Sequence, residues 1–158
     1  MSNAMPALTV WQPWASLIAE GFKPFEFRRW PAPAKLVGRR IAIHAGARPM
    51  KPKEVRDLLA QMRCEHPNPA LDVACIPLLE QAMKDPKSIP TRAVVCIATL
   101  GEPVSPSGIR ARFANDSDRD QEFSWGWPML DVQRLTPPIP ASGAQGFWSW
   151  RTPSEIAA

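Results

Sequence analysis

Lys23, Glu26 and Arg28 crowd into one short segment of the chain. Alternation along a strand puts Glu26 and Arg28 on one face, with Lys23 in the turn just before them. An acid between two bases can form a buried charge network that grips a polar ligand. The carboxylate can accept hydrogen bonds from the amine edge of a base, as acidic side chains do with cytosine. Lys23 becomes a general base if burial and Arg28 lower its pKa, and Glu26 can then help it to activate water. The same three residues can instead make an internal salt bridge that only holds the turn.

Other candidates lie around this trio. Gln12 stands where a helix should be capped, yet Ser, Thr, Asp or Asn would cap better. That misfit points its amide either at a ligand or at a neighbouring loop. Trp14 and Trp30 are stacking platforms or core. Trp125 and Trp127 share a strand face around Gly126, so one can pack while the other stacks on a base. His44 shares a strand face with Arg40 and can bind phosphate or shuttle a proton near neutral pH. With only His44 and His66 available, and no Cys-x-x-Cys spacing among Cys64, Cys75 and Cys96, neither a metal site nor a cofactor is expected.

These residues must be positioned by short elements, because nineteen prolines impose many turns. Ala7 to Trp11 reads as a strand. Trp14, Leu17, Ile18 and Gly21 follow one helical face, with Pro13 at its start and Gly21 at its stop. Phe25 to Arg29 and Arg40 to Ala45 alternate as strands. Lys53 to Met62 is an amphipathic helix with Val55, Leu58, Leu59 and Met62 inward. A further helical stretch ends near Lys84, broken or kinked at Pro77. Ala93 to Leu100 is a buried strand. The polar stretch from Pro103 to Gln121 reads as a surface loop. Strands around Trp125 to Trp127, over Met129 to Leu135 and over Gly146 to Trp150 complete the chain. Five to seven short strands with two to three flanking helices make an α+β protein, a small mixed β-barrel.

The length of 158 residues fits one domain. Residues 1–4 look like an expression-tag remnant, residues 5–152 the domain and 153–158 a tail. No apolar run is long enough to span a membrane, no signal peptide is visible, and the cysteines suggest no disulfide framework. A cytoplasmic protein is expected. The net charge of +4 is mild, but Lys23 to Arg63 holds eleven Lys and Arg against Glu26, Glu54 and Asp57. A basic face of that kind would attract phosphates.

Gln12-Pro13-Trp14-Ala15-Ser16, then Gly21, Lys23, Glu26, Arg28 and Trp30, then Gly38-Arg39, resemble the ASCH family in composition and spacing. Pro138-Ile139-Pro140 and the closing strand with Trp148 and Trp150 are similar to it as well. The resemblance is dense over residues 7–55 and sparse after residue 93. It implies a PUA-like barrel whose cleft, between the first helix and the barrel, holds RNA or a modified nucleoside. Gln12, Trp14, Lys23, Glu26, Arg28, Trp30, Arg40, His44, Trp125 and Trp127 would line it. Some family members resemble amidohydrolases that remove an acyl group from the exocyclic amine of cytidine, and others resemble nucleases. In that alternative Lys23 and Glu26 would be catalytic. The amidohydrolases have a threonine where this chain has Glu26, and their later acidic residue has only Glu102 and Glu122 as counterparts.

Overall fold

The computed structural model describes residues 3–113 and 124–156. Its strands are β1 (Ala4–Val10), β2 (Phe25–Arg28), β3 (Arg40–Ala45), β4 (Ala93–Leu100), β5 (Trp125–Pro140) and β6 (Phe147–Arg151). They form one mixed sheet in the order β2-β5-β4-β3-β1-β6. β1 and β3 pair in parallel, while the other neighbours are antiparallel. A parallel pair needs a crossover, and here that crossover carries the candidate residues: it contains α1 (Trp14–Ala19) and β2.

The remaining helices are α2 (Pro52–Arg63), α3 (Ile76–Lys84) and α4 (Pro106–Arg112). The described residues thus hold four helices, one beyond the expected range. The extra one is α4, inside the segment read as a loop. Ser105 caps it by accepting from Gly108 N–H at 3.2 Å, and Pro106 fills its first turn. The rest of that expected loop, 114–121, lies outside the described residues. Pro77 starts α3 rather than kinking it, because a first-turn residue needs no amide hydrogen bond. The two strands expected from Trp125 to Leu135 are one strand of 16 residues. The extra residues of its pairing with β4 lie on β5, where the register shifts twice.

Both faces of the sheet are covered, which is why β4 is apolar throughout. Leu8, Val10, Ile41, Ile43, Val95, Cys96 and Leu100 pack on one side with Ala15 and Ile18 of α1. Ala7, Ala42, Val94, Ile97 and Trp150 pack on the other. The bulge between Val94 and Cys96 turns Val95 and Cys96 toward the same cluster. A third cluster joins α2 and α3 to Leu17 of α1 through Val55, Leu58, Leu59, Met62 and Leu79. Each such side chain, fully buried, contributes about 2 kcal/mol.

The sheet curls strongly. Trp127 of β5 stacks on Phe147 of β6, with ring centroids 5.9 Å apart and planes 7° from parallel, although these strands lie near opposite ends of the strand order. Arg28 of β2 donates from Nη2 to the Thr9 carbonyl of β1 at 3.1 Å. Side chains therefore bridge a seam that the hydrogen-bond ladder leaves open: among the described residues no ladder joins β2 to β6. No helix among them is long and apolar enough to cross a membrane.

Candidate functional site

The candidate trio lies in that seam. Gly21, in a left-handed conformation with φ of 79°, ends α1. Its N–H donates to Ile18 O at 3.0 Å, and those of Phe22 and Lys23 donate to Leu17 O at 2.9 and 3.1 Å. Glycine accepts that conformation without a steric penalty. The chain then reverses into β2, so the Lys23 side chain folds back along the strand. Its Nζ donates to the Phe25 carbonyl and, at 3.2 Å, to Glu26 Oε1. Glu26 Oε1 also accepts from Phe27 N–H at 3.1 Å, and Oε2 accepts from Arg28 Nη2 at 3.0 Å. The predicted shared face of Glu26 and Arg28 is present, and Lys23 completes it.

Lys23 is only 5% exposed, so its charge is costly. Burial pulls its amine below the ordinary lysine range; the pull of Glu26 opposes this, and Arg28 adds to the lowering. Burial alone would raise the Glu26 carboxyl, but the Lys23 and Arg28 charges and their hydrogen bonds hold it below the ordinary carboxylate range. One carboxylate is thus shared by two cationic side chains. Arginine does not deprotonate in a protein. Lys23 is the group that can give up its proton, and while it keeps it the trio carries a surplus positive charge.

The trio borders a pocket of about 460 Å³. Thr9 and Val10 of β1, Trp11, Trp14, Phe27, Asn68, Leu71 and Gln145 supply the rest of its principal walls. Trp14 also packs against two of the apolar clusters, so it is wall and core at once. Trp11 is 51% exposed, and the Arg48 guanidinium lies over its ring at 3.9 Å from the centroid. Asn68 is 4% exposed. Its Oδ1 is fixed by Ala70 N–H at 2.9 Å, and its Nδ2 donates to no group among the described residues. Among the described residues the one fully buried side-chain polar atom without a partner is Arg48 Nε, so the unpaired Asn68 Nδ2 is open to the pocket.

Other sequence candidates lie elsewhere. Gln12 is fully buried and does not line the pocket. Its Oε1 accepts from Ser16 N–H at 2.9 Å, and its Nε2 donates to Ser16 Oγ and Pro90 O, both at 2.7 Å. It caps α1 from one residue further back, because Pro13 at the cap position offers no side-chain acceptor. That explains the misfit with no ligand. Trp127 is buried; its Nε1 donates to Trp30 O at 2.9 Å and its ring lies 5.9 Å from the Arg28 guanidinium. Trp125 faces the same core, opposite Arg28 on the paired strand. Trp30 is exposed outside the pocket. Arg40 donates to Thr99 Oγ1 and Asp131 O, away from the seam. His44 sits behind Thr9: its Nδ1 is 3.1 Å from Thr9 Oγ1 and its Nε2 donates to Ala141 O at 2.7 Å.

The basic stretch is partly neutralised, since Arg48, Lys53 and Arg63 pair with Glu54, Asp57 and Glu80. Glu102 is exposed outside the pocket, and Glu122 lies outside the described residues. Glu26 is the single carboxylate of the pocket wall. Sequence reasoning missed Thr9, Asn68 and Gln145, and it used Trp11 only as the end of a strand. Trp11 adjoins Gln12-Pro13-Trp14 and could have been found there; the other three carry no local signal.

The ASCH domain family model matches residues 8–98, which run from the end of β1 through most of β4 and include Lys23, Glu26 and Arg28. The chain belongs to the ASCH domain family. Among solved structures, a point mutant of the ASCH protein from Zymomonas mobilis is similar to it, at 17% identity over 92% of this chain and 87% of that chain, with a TM-score of 0.50. The unmutated Zymomonas mobilis ASCH protein is also 17% identical, covering 95% and 88%, with a TM-score of 0.49. At that identity the first likeness speaks to the fold alone, an α+β arrangement. No curated protein matches the chain. In this ASCH domain the family's spaced residues divide by role: Lys23, Glu26, Arg28 and Trp14 face the pocket, while Gln12 builds the helix that supports it.

Proposed function

We propose that this ASCH domain is a recognition module for RNA or a nucleobase-containing ligand, bound in the seam pocket. The observation that carries the reading is the Lys23–Glu26–Arg28 network, buried yet open to a pocket with tryptophan walls. Ligand pockets commonly run from about 300 to 1,000 Å³ and combine apolar walls with a few converging polar groups. Here Trp11 and Trp14 offer apolar and stacking surface. The spare lone pair on Glu26 Oε2 suits an exocyclic amine, the Asn68 Nδ2 suits a base carbonyl, and the surplus cationic charge suits a phosphate.

A hydrolytic reading has one observation in its favour. Lys23 has a lowered pKa and touches Glu26, so it can take a proton from water attacking an acylated amine. Against it, both Glu26 oxygens are already engaged and the residue is held ionised, so Glu26 supplies no acid and Lys23 alone would have to take the proton from water and return it to the leaving amine. Recognition is therefore the conclusion.

Labelled single-stranded RNA, titrated at low and moderate salt, tests it. Binding that weakens with salt, as released counterions require, and that is lost in Lys23→Ala and Arg28→Ala, is expected. Absence of binding at low salt, or binding indifferent to both substitutions, contradicts the reading. Release of cytidine from acylated cytidine, abolished in Lys23→Ala and Glu26→Gln, would establish the hydrolase in its place.

A further inference from the structure

Behind Trp11 the seam pocket adjoins a second one of about 440 Å³. The two share Thr9, Trp11 and Gln145 as a common wall. From this juxtaposition we infer that the protein binds a nucleic-acid strand of at least two nucleotides: the second pocket takes the neighbouring nucleotide, and Arg92 holds its phosphate. This rests on the nucleobase reading of the seam pocket and extends it from a nucleoside to a strand.

The second pocket has a fixed outer wall. Thr9 Oγ1 donates to Ala144 O at 2.7 Å and accepts from Trp148 Nε1 at 3.0 Å. His44 Nε2 donates to Ala141 O at 2.7 Å, and Ala141 N–H donates to Arg92 O at 2.9 Å. Gly143 lies so close to this frame that a Cβ would stand 2.6 Å from His44 Cε1 and 2.9 Å from Trp148 Cζ2. The 141–145 segment is thus clamped onto the imidazole and indole, and the cavity is preformed. His44, 2% exposed and held through Nε2 by Ala141 O, supports this wall rather than a ligand.

The lining is suited to an anion. Arg92 is its single charged side chain and no carboxylate faces it. The Arg92 guanidinium has no acidic partner among the described residues, and neither the Trp11 indole N–H nor the Gln145 carboxamide donates to any group among them. Trp11 stands between two cavities of nearly equal size; the Arg48 guanidinium covers one ring face, and the other is left to stack a base, as aromatic side chains do in single-strand binding sites.

Calorimetric titration of the full chain with cytidine and with the dinucleotide CpC, at low salt, tests the inference. Arg92 has φ of 53°, so Arg92→Asn removes the charge with a residue that tolerates that backbone. CpC is expected to bind about tenfold more tightly than cytidine, the worth of one added stacking and phosphate contact. Arg92→Asn should remove the phosphate share of that advantage, cutting it severalfold, and leave cytidine binding unchanged. Equal binding of the two ligands, or an advantage undiminished in Arg92→Asn, overturns the second subsite and leaves the seam pocket standing. If neither ligand binds, the nucleobase reading falls and the inference falls with it.

Discussion

Arg28 donates to the main-chain carbonyl of Thr9 across 3.1 Å, although their strands, β2 and β1, share no ladder. The same guanidinium holds Glu26 at 3.0 Å. One side chain thus ties the curled sheet together and orders the charge network of the pocket, so binding and stability are coupled there.

That coupling sets an order of stabilities. Glu26→Gln leaves the buried Lys23 and the half-buried Arg28 without a counter-charge and should cost about 3 kcal/mol in urea unfolding. Lys23→Ala leaves the Glu26–Arg28 pair intact and should cost less. The reverse order would show that Lys23, not Glu26, is the centre of the network.

Acid should expose the same carboxylate. Glu26 titrates below the ordinary carboxyl range in the fold. Between that range and its lowered value the unfolded chain binds a proton that the fold does not, so stability falls as pH drops through this window. Urea midpoints measured across acid pH should fall more steeply for the parent chain than for Glu26→Gln. Parallel curves would contradict the assignment.

Binding should respond to alkali through Lys23. Its lowered pKa means that it sheds its charge, as pH rises, before exposed lysines do. Affinity for RNA should therefore decline at a pH below the ordinary lysine range, while Lys23→Arg stays flat. A decline of equal size in both proteins would place the responsible group elsewhere.

The tryptophans and Gln12 separate wall from scaffold. Trp11→Ala should weaken RNA binding by about 1 kcal/mol or more, and Trp30→Ala should leave it unchanged. Gln12→Ala should destabilise the fold by about 1 kcal/mol through loss of the α1 cap, with affinity per folded molecule unaltered. Loss of affinity in Trp30→Ala or Gln12→Ala would return those residues to the site.

Much of the scaffold was legible because its signals are local. β3 and β4 run over the expected residues, Arg40–Ala45 and Ala93–Leu100, where β-branched residues lie between clear breakers. The α2 stripe of Val55, Leu58, Leu59 and Met62 is buried as its spacing implied. α4 was not read, since Gly108 and the serines weigh against a helix; Ser105 followed by Pro106 was the overlooked start signal. Open ladder and closed barrel look alike in sequence, because strand periodicity does not say which edges pair. The site divides in the same way. Lys23, Glu26 and Arg28 converge through spacing along one turn and strand, whereas Asn68 and Gln145 arrive from distant loops that only the fold brings to Thr9.

The central claim is that the seam beside Lys23, Glu26 and Arg28 is where a nucleobase binds. The most direct measurement is an amide chemical-shift titration of the isotope-labelled protein with cytidine. The account predicts that the amides of Phe27, Ala70 and Gly146, around the pocket, shift in a saturable way, while those of Ser88 and Leu135, in a separate cavity, stay in place. Shifts centred on Ser88 and Leu135, or none near Phe27 at saturating ligand, would contradict it.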